Sequence, residues 1–187
     1  MKEDGLSMEQ RSFKRANRAL ALTVTIDSFL LIIMRLGMIL QGKDLTKSVA
    51  TASVLLVPIA VGIFGYLKNP CSRKFHYFAF FAFFAAFEIT CLTSTVFLFN
   101  LFIYPTLITM LMFFDKPMEI RANGIVLFAC ILNAAIAYHL RGTTDMLEVN
   151  RMFMICVLAA AMSVGIFYAA KVAGVHIQDE LDEFAAG

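Results

Sequence analysis

Apolar residues run along this chain in long blocks separated by short polar ones. Six blocks stand out, at approximately 19–40, 48–67, 77–92, 96–114, 124–140 and 152–173. A helix needs roughly 20 mostly apolar residues to cross a bilayer core of about 30 Å. The pattern therefore predicts an all-α polytopic membrane protein built as a six-transmembrane-helix bundle. The third and fourth blocks are fused, because residues 77–114 carry one charge, Glu88, in 38 positions. A single helix of that length would rise about 57 Å, so the chain must turn within it. The polar run Thr93–Ser94–Thr95 is the expected turn.

Composition sharpens this picture. The chain is 60% hydrophobic and 16% charged, with a mean hydropathy of +0.77. Soluble domains are nearer 45–50% apolar and about 25% charged. A water-soluble domain of 187 residues has too little interior for so much apolar surface. Soluble enzymes and disordered chains are excluded on that ground. Cys71, Cys91, Cys130 and Cys156 lie far apart with no CxxC, unlike a disulfide-stapled module. A net charge of +2 gives no support to nucleic-acid binding.

Charge also orients the helices. With the N-terminus inside, segments 1–18, 68–76, 115–123 and the tail hold 5, 3, 2 and 1 Lys/Arg, or 11. The outer loops near 41–47, 93–95 and 141–151 hold 2, 0 and 2, or 4. The bias follows the positive-inside rule and predicts cytoplasmic N- and C-termini. Three parts result: a basic cytoplasmic segment 1–18, a transmembrane domain 19–173, and a cytoplasmic tail 174–187. No cleavable signal is expected, since residues 1–18 are too polar and the run after them is long enough to span. In the tail, Ile177, Leu181 and Phe184 alternate with Asp179, Glu180, Asp182 and Glu183. That is the pattern of an amphipathic helix, the start of a signalling helix leaving the membrane.

Ionisable residues inside spans are costly and face protein. Asp27, Arg35 and Glu88 are of this kind. At about 1.5 Å per residue, Asp27 lies roughly 12 Å from the cytoplasmic end, Glu88 roughly 18 Å and Arg35 roughly 24 Å. An Arg35–Glu88 pair between the first and third helices is expected. Asn100, Tyr104 and Pro105 add polarity and a kink to the fourth helix, and Pro58 a kink to the second. Asp27, Arg35, Glu88, Asn100, Tyr104 and Pro105 are the candidate sensing residues. Ala161, Gly165, Ala169 and Ala173 recur every four positions on the sixth helix, and Ala82, Ala86, Thr90 and Ser94 on the third. Such faces let helices approach closely, within a bundle or between subunits. Six phenylalanines between Phe78 and Phe87 read as core and lipid-facing filling. His76, His139 and His176 show no metal-ligand spacing, and no catalytic motif is present. Neither an enzyme activity nor a cofactor is expected.

Several phrases carry a resemblance. FKRANRALAL at 13–22, KNPCSRKFHY at 68–77 and LTSTVFLFNLFIYPTLITMLMFFD at 92–115, followed by RANGIVLFACILNAAI, resemble the six-helix N-terminal membrane region of clostridial-type methyl-accepting chemotaxis proteins. RGTTDMLEVNR at 141–151 fits as well. The likeness covers nearly the whole chain after about residue 10. It implies a sensory input module in a bacterial cytoplasmic membrane, dimeric or of higher order. It also implies a histidine kinase and a coupling protein as partners, through a cytoplasmic coiled coil that this chain does not contain. The large extracellular ligand domain usual in such receptors is absent too. A rival expectation is the six-helix substrate-binding subunit of an energy-coupling-factor vitamin transporter, which is of similar size.

Overall fold

The structure, a computed structural model, describes residues 7–40, 42, 45–94, 96–113, 115–139 and 145–186, with side chains through Val172. The described residues are helical, with no strand among them. The helices are α1 (Met8–Leu40), α2 (Leu45–Val54), α3 (Leu56–Lys68), α4 (Phe75–Thr93), α5 (Tyr104–Met110), α6 (Lys116–His139) and α7 (Met146–Ala186). Two short 3₁₀ segments, Phe97–Leu101 and Leu111–Phe113, flank α5. The chain divides into two compact units, Met1–Thr109 and Met110–Gly187.

Among the described residues, five helical stretches are long and apolar enough to cross a membrane: Met8–Leu40, Leu45–Lys68, Phe75–Thr93, Lys116–His139 and Met146–Val172. This makes the protein a multi-pass membrane protein by length and composition. The fourth expected stretch differs. Phe97–Phe113 is shorter than the others and is broken into 3₁₀, turn, α and 3₁₀ pieces. Pro105 is the reason. It sits in the first turn of α5, where a missing N–H costs nothing, while the Leu107 N–H reaches Ile103 O at 3.1 Å. The proline thus starts a short helix and does not kink a long one.

Other boundaries have local causes. Ser7 and Gln10 form a reciprocal capping box, at 3.2 Å and 3.1 Å, that begins α1 eleven residues before its apolar block. The Asp115 carboxylate accepts the Met118 N–H at 3.2 Å and so caps α6. Asp145 does the same for α7 through the Leu147 N–H at 3.0 Å. Pro58 lacks the N–H that would bond Val54, and the helix is interrupted at Leu55 between α2 and α3. At the expected hairpin, α4 ends at Thr93 and Ser94 turns extended at φ −92°, ψ 148°. Thr95 lies outside the described residues.

In the first unit, α1 packs on α3 and on α4. Gly62 lets α3 approach α1 closely. A Cβ there would stand 3.4 Å from the Ala21 carbonyl oxygen of α1. The core includes Leu20, Val24, Leu31, Phe80, Phe83, Phe87 and Tyr104, all almost fully buried. Phe78 and Phe81 face outward, so the α4 aromatics divide between core and periphery.

In the second unit, α6 and α7 form an antiparallel hairpin. Asn123 meets Ser163, and Cys130 meets Cys156. The two pairs share one register.

Candidate functional site

Several polar residues buried in the first unit lie on α1 or bond to it. Its side chains reach a different segment at each level. Near the start, Asn17 is fully buried and donates both amide hydrogens, to Pro70 O at 2.8 Å and Ser72 O at 2.9 Å. Close by, Arg73 pairs with Glu9 at 2.5 Å and lies over the Phe13 ring. The 69–74 loop is thereby fastened to α1. This contact escapes a search for charged residues inside apolar blocks, because Asn17 precedes the block.

Two to three turns further on, the Thr106 hydroxyl of α5 donates to Asp27 Oδ2 at 2.9 Å. Both side chains are buried. One turn before Asp27, the Thr23 and Thr109 hydroxyls lie 3.1 Å apart. Residues 23 and 27 thus meet 109 and 106, which is an antiparallel pairing of α1 with α5. The α5 partners are threonines, and the candidates named from the sequence are their neighbours. Tyr104 is fully buried, Pro105 is exposed, and Asn100 turns its amide onto Phe97 O at 2.8 Å.

Near the far end of α1, Arg35 is 2% exposed. Its guanidinium donates to the Thr90 carbonyl, to the Thr93 hydroxyl at 2.5 Å and to the Thr93 carbonyl at 3.5 Å. It also lies over the Phe99 ring at 5.6 Å. Thr90 and Thr93 belong to the last turn of α4, whose carbonyls lack the i+4 N–H partners of the helix interior. A cation there meets the negative end of the helix dipole. Arg35 therefore acts as a C-cap supplied by another helix. Glu88 sits half-buried on α4, two residues before Thr90.

The second unit holds a polar stripe of which the sequence pattern singles out Asn133, inside the apolar block, but not Glu119 or Asn123, which precede it. Glu119, Asn123 and Asn133 of α6 are buried. The Asn123 amide donates to Ser163 O at 2.8 Å. Asn123 Oδ1 and Glu119 Oε1 have no hydrogen-bond partner among the described residues. Lys116, Pro117 and Arg121 make this segment look like a polar loop. The signal that identifies it as helix is Asp115 followed by Lys116–Pro117, a cap with proline in the first turn.

The two lines of small residues have different fates. On α4, Ala86, Thr90 and Ser94 are buried. On α7, Ala161, Gly165 and Ala169 are exposed, and the buried face is Met152, Ala159, Ser163, Ile166 and Ala170. The side chains of Ala173, Ile177, Leu181 and Phe184 lie outside the described ones. No group of three or more His, Cys, Asp or Glu able to hold a metal occurs among the described residues. Compared with protein-family models, with curated proteins and with solved structures, the chain finds no match.

Proposed function

We propose that this chain is the membrane-embedded input module of a signal transducer, of the chemoreceptor type its sequence resembles. The observation that carries the reading is α7. It runs unbroken for 41 residues, Met146–Ala186, while its apolar span ends at Val172. At about 1.5 Å per residue, the part beyond Val172 extends roughly 21 Å. A continuous helix transmits rotation or translation from the membrane to whatever follows it. The stimulus acts on the packing of α1, whose buried Asp27 and Arg35 hold α5 and α4. A stimulus shifts this packing only if it binds the two arrangements differently.

The proposed topology keeps six crossings in a bacterial cytoplasmic membrane, with both termini cytoplasmic. Two points support it. Phe97–Phe113 contains eight 3₁₀ residues at about 2.0 Å and seven α residues at about 1.5 Å, and so reaches roughly 27 Å. The antiparallel pairing of Asp27 and Thr23 with Thr106 and Thr109 also returns the chain alongside α1. In a full receptor the module acts as a dimer or higher oligomer, with a histidine kinase and a coupling protein beyond the tail.

Phase insertions test the reading. One residue inserted between Val172 and Ile177 rotates everything after it by about 100°, whereas seven restore the face to within about 20°. Receptor output, measured in cells, is expected to change with one and to recover with seven. Output indifferent to every insertion overturns the proposal.

A further inference from the structure

Asp27 lies inside the apolar run of α1 and is buried. Its side chain makes a single hydrogen bond among the described residues, from the Thr106 hydroxyl at 2.9 Å, and no ion pair. The elements packed on α1 bring no charge to its level. Asn17 at the 69–74 loop and Arg35 at Thr90 set the register of α1 on α4, which places Asp27 opposite residues 82–85, two alanines and two phenylalanines. Gly62 against Ala21 does the same for the antiparallel α3, and places Leu56 and Val57 there. On α5, Thr106 is followed by no ionisable residue, and Tyr104 before it is buried. The charged and titratable groups nearby stand off. Glu88 is more than a turn further along α4, and His76 and Tyr66 lie two turns or more toward the other end. Arg35 is two turns along α1 and engaged with Thr90 and Thr93, and Lys47 of α2 is near the far end of α1.

A bare carboxylate in this place has no counter-charge and one hydroxyl donor. That is far too little to replace its hydration, and a group so placed neutralises instead. One proton supplies the missing charge and needs no cavity. The hydroxyls mark a way in. Thr23 and Thr109 meet at 3.1 Å, one turn nearer the end of α1 that the Lys/Arg count assigns to the cytoplasm. Both are half-buried, where Asp27 and Thr106 are buried. Thr109 donates to Pro105 O, so Thr23 donates to Thr109, and lone pairs on both remain to hold water.

The geometry points to a proton-binding site at Asp27, whose carboxyl is held as the neutral acid inside the membrane and exchanges its proton with the cytoplasmic side past Thr23 and Thr109. One proton is taken from water and returned to water, and Thr106 stays bonded to Oδ2 throughout. The site stands apart from the signalling role proposed above.

The test uses the full chain purified in neutral maltoside micelles, with infrared spectra at neutral pH. The difference between wild type and Asp27→Asn is expected to contain the carbonyl stretch of one protonated carboxyl per chain, which moves in heavy water. Asparagine keeps the shape and the acceptor for Thr106, so the thermal midpoint should be unchanged. Glu88→Gln and Glu119→Gln should leave that band in place. Thr23→Val should keep the band and slow its shift in heavy water. A difference spectrum with carboxylate stretches alone shows Asp27 ionised and overturns the proposal. So does loss of the band when potassium chloride is replaced by sodium chloride, which assigns the site to an alkali cation. A shift as fast in Thr23→Val as in wild type overturns the route past Thr23.

Discussion

In the first unit, Asn17, Asp27 and Arg35 of α1 each tie down a different segment: the 69–74 loop, α5 and the end of α4. In the second unit, Asn123 makes one bond, to Ser163 O of α7. Buried oxygens with no hydrogen-bond partner among the described residues occur in both units, Asn17 Oδ1 and Ser28 Oγ in the first and Glu119 Oε1 and Asn123 Oδ1 in the second. Both units bury polar side chains in apolar helices, but in the first the bonds reach three separate segments, whereas in the second Asn123 joins α6 to α7 by one. A buried polar group earns stability only through the bonds it makes, and an unpaired one costs about as much as a bond contributes. Substitution should therefore separate the two units sharply.

The largest effect is expected at Arg35. Arg35→Met strips the last turn of α4 of its donated bonds and should lower stability in micelles by about 3 kcal/mol, read from thermal unfolding followed by helicity. A loss below that of an ordinary surface substitution would erase the contrast between the units. Asn17→Leu frees the carbonyls of Pro70 and Ser72 and should cost about 2 kcal/mol. It should also speed proteolysis of the 69–74 loop, which a limited digest detects. Thr106→Val removes the donor to Asp27 and should cost about 1 kcal/mol, in keeping with interhelical bonds in lipid. Asn123→Leu loses one bond, to a carbonyl inside the continuous helix α7, and should cost about 0.5 kcal/mol or less. A drop like that of Asn17→Leu would show the second unit to be fastened in the same way.

The smallest effect is expected on the exposed line of α7. A Cβ at Gly165 meets nothing within 4 Å, so Gly165→Leu should leave the thermal midpoint of the monomer unchanged. Ala86→Leu, on the buried line of α4, should cost about 2 kcal/mol by overpacking. Sedimentation of Gly165→Leu completes the pair. Dispersal of an oligomer without loss of stability would assign the α7 face to a subunit contact.

Much of the scaffold is legible in the chain because apolar length is a direct requirement of the bilayer. The spans around α1, α2–α3, α4, α6 and α7 follow from it, as does the turn after Thr93. The break at 96–113 is not legible in the same way. Apolar composition does not distinguish a continuous α-helix from 3₁₀ and α pieces, and Pro105 reads equally as a kink or a start. Arg35 is recognisable as a buried residue. Its carbonyl partners on α4 are not, because every residue carries a carbonyl and only the helix end leaves some unbonded. Asp27 is recognisable and Thr106 is not, since a threonine in an apolar helix commonly bonds its own backbone, as Thr109 does to Pro105 O at 2.9 Å. The small-residue lines of α4 and α7 look alike in sequence, and only tertiary packing separates them.

The cap that Arg35 places on α4 also sets an order of assembly. Thr93 lies 58 residues after Arg35. At synthesis rates of about 5–20 residues per second, α1 waits some 3–12 s before its partner exists. Through that interval the nascent helix carries an arginine in lipid, against a cost of about 2.5–3.5 kcal/mol for an arginine at a helix centre. The remaining apolar residues of α1 must hold it in place alone. The helix that anchors the first unit is thus completed in steps: Arg35 finds its carbonyls when α4 arrives, and Asp27 and Thr23 find Thr106 and Thr109 only when α5 follows.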